Sequence, residues 1–190
     1  VKAKLESMIA VCALLVATIA AAAAAYQTYV INEQFSATVW PYVGFDTTRD
    51  TSNQSFTLAV RNVGLGPAII RTSIATVDGK PMGPGTTGNP VITAFEGDIA
   101  KSRDAEAKLH RHGQISISAS SLTAGDVLPA GNSLMLFRVK GPDLFARVEA
   151  RRPHFDLSLC YCSVLGRCWT RRLQDPIPEP RDARSCPLPK

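Results

Sequence analysis

The chain has 190 residues, 45% hydrophobic and 19% charged, with 21 Lys and Arg set against 16 Asp and Glu for a net charge of +5. Once an N-terminal apolar run is set aside, about 150 residues remain, the size of one domain with a core of its own. The late arginines (Arg147, Arg151, Arg152, Arg167, Arg171, Arg172, Arg181, Arg184) share their stretch with Asp143, Glu149, Asp156, Asp175, Glu179 and Asp182, which reads as a mixed, solvated surface rather than a polybasic nucleic-acid tract.

Lys2 and Lys4 lie in residues 1–7, and no side chain from Met8 to Ala25 is charged. That run spans about 27 Å as a helix, and continuing it through Tyr26, Tyr29, Val30 and Ile31 covers the roughly 30 Å hydrocarbon core, with two tyrosines at the interface. The expected anchor is therefore 8–31, with a helical linker over 32–38. The first basic residue beyond it is Arg49, so the positive-inside rule puts residues 1–7 in the cytoplasm and the rest outside, away from nucleic acid. A stretch of seven residues leaves no room for a cytoplasmic signalling domain.

The rival reading is a cleaved signal peptide ending near Ala23-Ala24-Ala25. It fits less well, because the run outlasts a usual h-region and apolar character resumes beyond Ala25. Export is implied by both. Ala13, Ala17, Ala21 and Ala25 fall on one helical stripe, which permits close approach of a partner helix and which an alanine-rich span also produces by chance.

Beyond the anchor, strand signals dominate a domain expected over 39–175. Val39 to Phe45 alternates around Pro41, as an edge or first strand does. Phe56, Leu58 and Val60 alternate with Thr57, Ala59 and Arg61 in the period of a half-buried strand. Ala68 to Val77 is a second β-rich run, ending in the turn Asp78-Gly79. Between these strands lies Asn62-Val63-Gly64-Leu65-Gly66-Pro67-Ala68, whose two glycines are expected to supply positive φ for a sharp bend.

Gly83 to Pro90 is a loop without the Gly-Lys-Ser/Thr of a phosphate cradle. Residues 91 to 110 are ambiguous, a strand and then a short helix from Ala105 to Leu109. Ile115, Ile117 and Ala119 alternate, and so does the run from Leu134 to Lys140 after the turn Gly131-Asn132. Pro142-Asp143 opens a short helix to about Ala150. Phe155, Leu157, Leu159 and Tyr161 share one strand face, and Cys168 to Leu173 returns as its partner. The tail, 176–190, has too many prolines for regular structure. Short strands between Gly, Pro, Asn and Asp turns predict a mainly β fold: an Ig-like antiparallel sandwich with one or two short helices.

Four of the five cysteines lie after residue 159. Cys160 and Cys162 share a strand face, and a five-residue hairpin over Ser163 to Arg167 brings Cys162 opposite Cys168. That geometry favours Cys162–Cys168, leaving Cys160 to reach Cys186 and tie the tail, although four cysteines allow three connectivities. The alternative is a metal or redox centre using Cys160, Cys162 and Cys168 with His110, His112 and His154. Zinc usually takes wider Cys spacing, exchange catalysis uses Cys-x-x-Cys, and an oxidising compartment favours disulfides. No Gly-x-Ser-x-Gly elbow and no marked acidic pair points to a hydrolase, and Ser116 and Ser118 sit in a plain strand.

Three features, the apolar span from Met8 to Ala25, the Asn62 to Ala68 turn and the run Cys160-Tyr161-Cys162-Ser163-Val164-Leu165-Gly166-Arg167-Cys168-Trp169, together resemble an uncharacterised family of small bacterial single-pass membrane proteins. An aromatic is expected where Leu165 stands. With the charge asymmetry and the cysteines, a bacterial setting leads to the expectation of an inner-membrane protein with a periplasmic domain. The resemblance implies no established activity and no catalytic residue, and no cofactor or metal is expected. The function expected is that of a binding or accessory subunit of a membrane protein complex, with other subunits and the lipid bilayer as partners. A periplasmic metal-binding or redox protein is the alternative.

Overall fold

A computed structural model describes residues 2–83, 89–109, 115–175, 180–183 and 186. The chain divides into two units, 1–38 and 39–190. The first is one continuous helix, α1 (Lys2–Thr38), of 37 residues. It is long and apolar enough over Ser7–Thr38 to cross a membrane, and none of that stretch is buried within the protein. No proline or glycine interrupts it, so the expected anchor and linker are one rod. Ala13, Ala17, Ala21 and Ala25 are all exposed on it.

The second unit contains two antiparallel sheets in a sandwich-like arrangement with two further helices. One sheet is ordered β1-β2-β7-β5, from β1 (Val43–Asp50), β2 (Ser55–Asn62), β5 (Ser116–Ala119) and β7 (Ser133–Lys140). The other runs β10-β9-β8-β3-β4, from β3 (Ala68–Val77), β4 (Lys80–Pro81), β8 (Phe155–Cys162), β9 (Cys168–Arg172) and β10 (Arg181–Ala183), with β6 (Val127–Leu128) also paired to β3. Phe56, Leu58 and Val60 point into the core with Phe155, Leu157, Leu159 and Tyr161, as their alternation requires. In β7 the alternation slips: Leu136 and Phe137 are both buried. Leu58 pairs with Phe137 and Ala59 with Met135, so Leu136 is the extra residue of a β-bulge and the inward face changes phase there.

Four expectations are corrected. The first strand starts at Val43, not Val39, and Pro41 lies before it. Residues 91 to 108 contain no strand: α2 (Pro90–Lys108) is one helix of 19 residues, longer than the short helices expected. Asn89 caps it, its Oδ1 accepting from the amides of Val91 and Ile92, and Pro90 opens it at a position where a missing N–H costs nothing. Its buried residues, Val91, Ala94, Phe95, Asp98, Ile99 and Ser102, form a single helical stripe. Phe95 carries the helix into the core, 5.1 Å from Phe137 of one sheet and 5.1 Å from Phe155 of the other.

In the tail, Arg181–Ala183 pairs with β9 as a strand. The fourth correction concerns Gly64 and Gly66. Among the described glycines, positive φ belongs to Gly79, Gly125, Gly131, Gly141 and Gly166, and the two turn glycines are needed above all for close approach. The helix expected at Pro142 is α3 (Pro142–Arg151).

Candidate functional site

The most elaborate construction in the domain surrounds its first residues. Asn62, the last residue of β2, is fully buried, and its amide is used on both sides. Oδ1 accepts from the backbone N–H of Tyr42 at 3.1 Å and of Gly64 at 3.0 Å. Nδ2 donates to the carbonyls of Gly66 at 2.8 Å and Leu128 at 3.0 Å. The loop backbone adds bonds from Val63 N to Tyr42 O, and from Leu65 N and Gly66 N to Trp40 O.

These bonds require the loop to lie directly on Val39–Tyr42. A Cβ on Gly64 would overlap the backbone of Trp40, Pro41 and Tyr42, and one on Gly66 would overlap Val39. The glycines therefore serve close approach rather than turn conformation. The loop is a clamp on the segment that opens the domain.

Side chains continue the clamp into the second sheet. The Tyr161 hydroxyl accepts from Val43 N at 3.3 Å, bridging β8 to the start of β1. Burial pushes this phenol up to about 12, because the charged form would lose its solvation. Trp169 stacks 6.0 Å from Tyr161, Trp40 stands 6.5 Å from Trp169, and the Arg167 guanidinium lies 5.9 Å from the Trp169 ring centroid.

The hairpin beside this cluster is stapled. Cys162 is bonded to Cys168 and Cys160 to Cys186. Gly166 takes a φ of 79° at the turn, and Ser163 N donates to Arg167 O at 2.8 Å. The bridges are close neighbours: Cys162 Sγ lies 3.9 Å from Cys186 Sγ, and the sulfurs of Cys162, Cys168 and Cys186 all lie within 4.8 Å of one another. Cys12, in α1, is a free thiol.

Of the histidines considered for a metal centre, His154 is far from the cysteines. His154 precedes the opposite end of β8 and contacts Asp78 Oδ1 at 2.7 Å, roughly 20 Å along the strand from Cys160 at 3.3 Å per residue. His110 and His112 lie outside the described residues. Ser116 and Ser118, set aside as nucleophiles, are exposed on β5.

Two features went unforeseen. A polar seam joins α2 to α3. Ser102 Oγ donates to Asp143 Oδ2 at 2.7 Å, Arg147 Nε donates to the same oxygen at 2.7 Å, and Arg151 pairs with the buried Asp98. The Arg147 guanidinium, and then the Ser102 hydroxyl, hold the Asp143 carboxyl below its ordinary range. The i, i+4 spacing of Asp98 and Ser102, and of Asp143, Arg147 and Arg151, was the available signal. The other feature is a cavity of about 120 Å³ bordered by Phe56, Phe95, Val148, Arg152 and Gln174 among others, below the roughly 300–1,000 Å³ of small-molecule sites.

Comparison with known proteins found no matching family model, curated protein or solved structure.

Proposed function

We propose that this chain is a single-pass protein of the bacterial inner membrane, of the small-protein family it resembles, with residues 1–7 in the cytoplasm and an Ig-like sandwich in the periplasm. It acts as a binding or accessory subunit of a membrane protein complex. The observation that carries the reading is the Asn62 clamp. A domain whose most elaborate internal construction grips its own first residues, directly after an apolar helix, is suited to presenting a surface at a defined place. The two disulfides support an oxidising compartment. The small cavity and the polar seam between α2 and α3 serve packing better than turnover.

Extraction of native membranes in a mild detergent tests this. The protein is expected to co-purify with other membrane subunits in stable stoichiometry, and consistent recovery as a lone monomer overturns the accessory role. The second reading, a redox or metal-binding protein, is favoured by the proximity of the three sulfurs of Cys162, Cys168 and Cys186. Thiol titration of denatured, unreduced protein separates the two: one reactive thiol, Cys12, supports the structural bridges, and five support a thiolate site.

A further inference from the structure

Exposed apolar residues concentrate at one end of the domain. Its exposed large apolar side chains, among the described residues, are Trp40, Val63, Leu65, Leu109, Val127, Val164 and Leu165. All but Leu109 lie at the end where the domain begins. Leu65 N bonds to Trp40 O, and Trp40 packs near Trp169. Trp169 pairs with Tyr161 beside the Cys162–Cys168 rung, and Val164 and Leu165 form the tip beyond that rung. Ile69 pairs with both Cys162 and Val127, which brings the last of them to the same end.

Among the described residues, the turns that join strands at the opposite end are polar. They include Thr51-Ser52-Asn53-Gln54 and Asp78-Gly79-Lys80, and Asp50 and His154 stand beside them. Leu65 is 74% exposed, on a loop held by backbone bonds rather than by its own side chain. An apolar tip kept rigid in water gains nothing within the domain.

We propose that this rim, Trp40, Val63, Leu65, Val164 and Leu165 with Arg167, seats on the lipid bilayer. The apolar side chains enter the headgroup–acyl boundary, and Arg167 lies at the level of the phosphates. The inference rests on the reading of α1 as a membrane span. The occupant is lipid because Val39 directly follows Thr38, the last helical residue. A helix of 37 residues measures about 55 Å, against roughly 40–45 Å for a bilayer with its headgroups, so the domain starts within about 10–15 Å of the surface even without tilt. Trp at the interface, aliphatic tips below it and Arg beside phosphate are the residue types that such a boundary selects. The stapled hairpin and the clamp would hold both tips at one depth.

The test uses the full chain with Cys12→Ser, reconstituted in phosphatidylethanolamine–phosphatidylglycerol liposomes. An environment-sensitive NBD label is attached through Leu65→Cys or, at the opposite end, Lys80→Cys. Flotation with the liposomes is measured first, and failure to float overturns the membrane-span reading itself. In floating protein, doxyl-labelled lipid is expected to reduce emission at position 65 by roughly twofold or more and to leave position 80 nearly unchanged. Quenching at neither position, or equally at both, overturns the seating while leaving the anchor intact. A label at 65 that is shielded from aqueous iodide in native membranes but bare in protein-free liposomes assigns the rim to a protein partner and overturns the lipid assignment. Trp169→Phe, which leaves Trp40 as the only tryptophan, repeats the measurement with brominated lipid and no label.

Discussion

Asn62 satisfies four backbone groups with one side chain, so the residue acts as a spacer that only an amide can fill. Asn62→Ala takes the side-chain acceptor from the amides of Tyr42 and Gly64 and a donor from the carbonyls of Gly66 and Leu128. The expected loss is about 3 kcal/mol, read as a lower urea midpoint of the detergent-solubilised protein followed by tryptophan fluorescence. An unchanged midpoint would show that water replaces the amide and that the loop is no clamp. Tyr161 makes a second prediction at this scale. Its folded value is raised from 10.0 to about 12 by burial, while the unfolded phenol ionises near its ordinary value. Its contribution is therefore fully present below about pH 10 and is lost as the pH rises towards 12. Tyr161→Phe should remove this alkaline component from the stability profile. The sequence singled out Asn62, Gly64 and Gly66 as a turn but not their purpose, because nothing local to residues 62–68 reveals that Val39–Tyr42 lies against them.

Among the elements, α2 shows where periodicity misleads. Its inward stripe includes Asp98 and Ser102, so an apolar count fades in the second half of the helix. The β-branched Val91, Ile92 and Thr93 at the start imitate a strand. The polar members of the stripe are satisfied by α3, which the sequence of α2 alone does not show. This seam makes the acid limb of stability sensitive to Asp143. Its folded value is depressed by Arg147 and Ser102. The stabilisation is thus present above the unfolded carboxylate value of about 3.9 and is lost as the pH falls through the folded one. Asp143→Asn should flatten stability over that acid range with a small effect at neutral pH, because the pair is partly exposed and screened. Denaturant titrations between neutral pH and pH 3 measure it; a profile unchanged by the substitution removes Asp143 from the seam.

At the scale of the whole molecule, the two bridges differ in what they order. Chain entropy gives about 2 kcal/mol for a short loop like Cys162–Cys168 and about 3.5 kcal/mol for a longer one like Cys160–Cys186. The first closes a hairpin whose strands already pair. The second ties in the segment that carries β10. Cys160→Ser with Cys186→Ser should therefore lower the urea midpoint more than Cys162→Ser with Cys168→Ser, and should expose the tail to limited proteolysis. The reverse order would mean that the hairpin bridge supports the Tyr161–Trp169 cluster more than its loop length suggests. Both bridges stand at the apolar end of the domain, where the clamp, the aromatic cluster and the exposed rim also meet.

What could be read directly from the chain is whatever a local pattern specifies. The uninterrupted apolar helix, the alternation of β2 and β8, the Asp78-Gly79 turn and the helix opened by Pro142 each follow from the period of polarity within a few residues. The bulge at Leu136, the stripe of α2, the strand in a proline-rich tail and the reason for Gly64 and Gly66 depended on what packs against them. Long-range contacts in this domain join residues far apart in the chain, 118 positions in the case of Val43 and Tyr161. Burial and hydrogen-bond satisfaction are properties of the assembled fold, so the same Gly or Asn reads as a turn in one dimension and as a clamp in three.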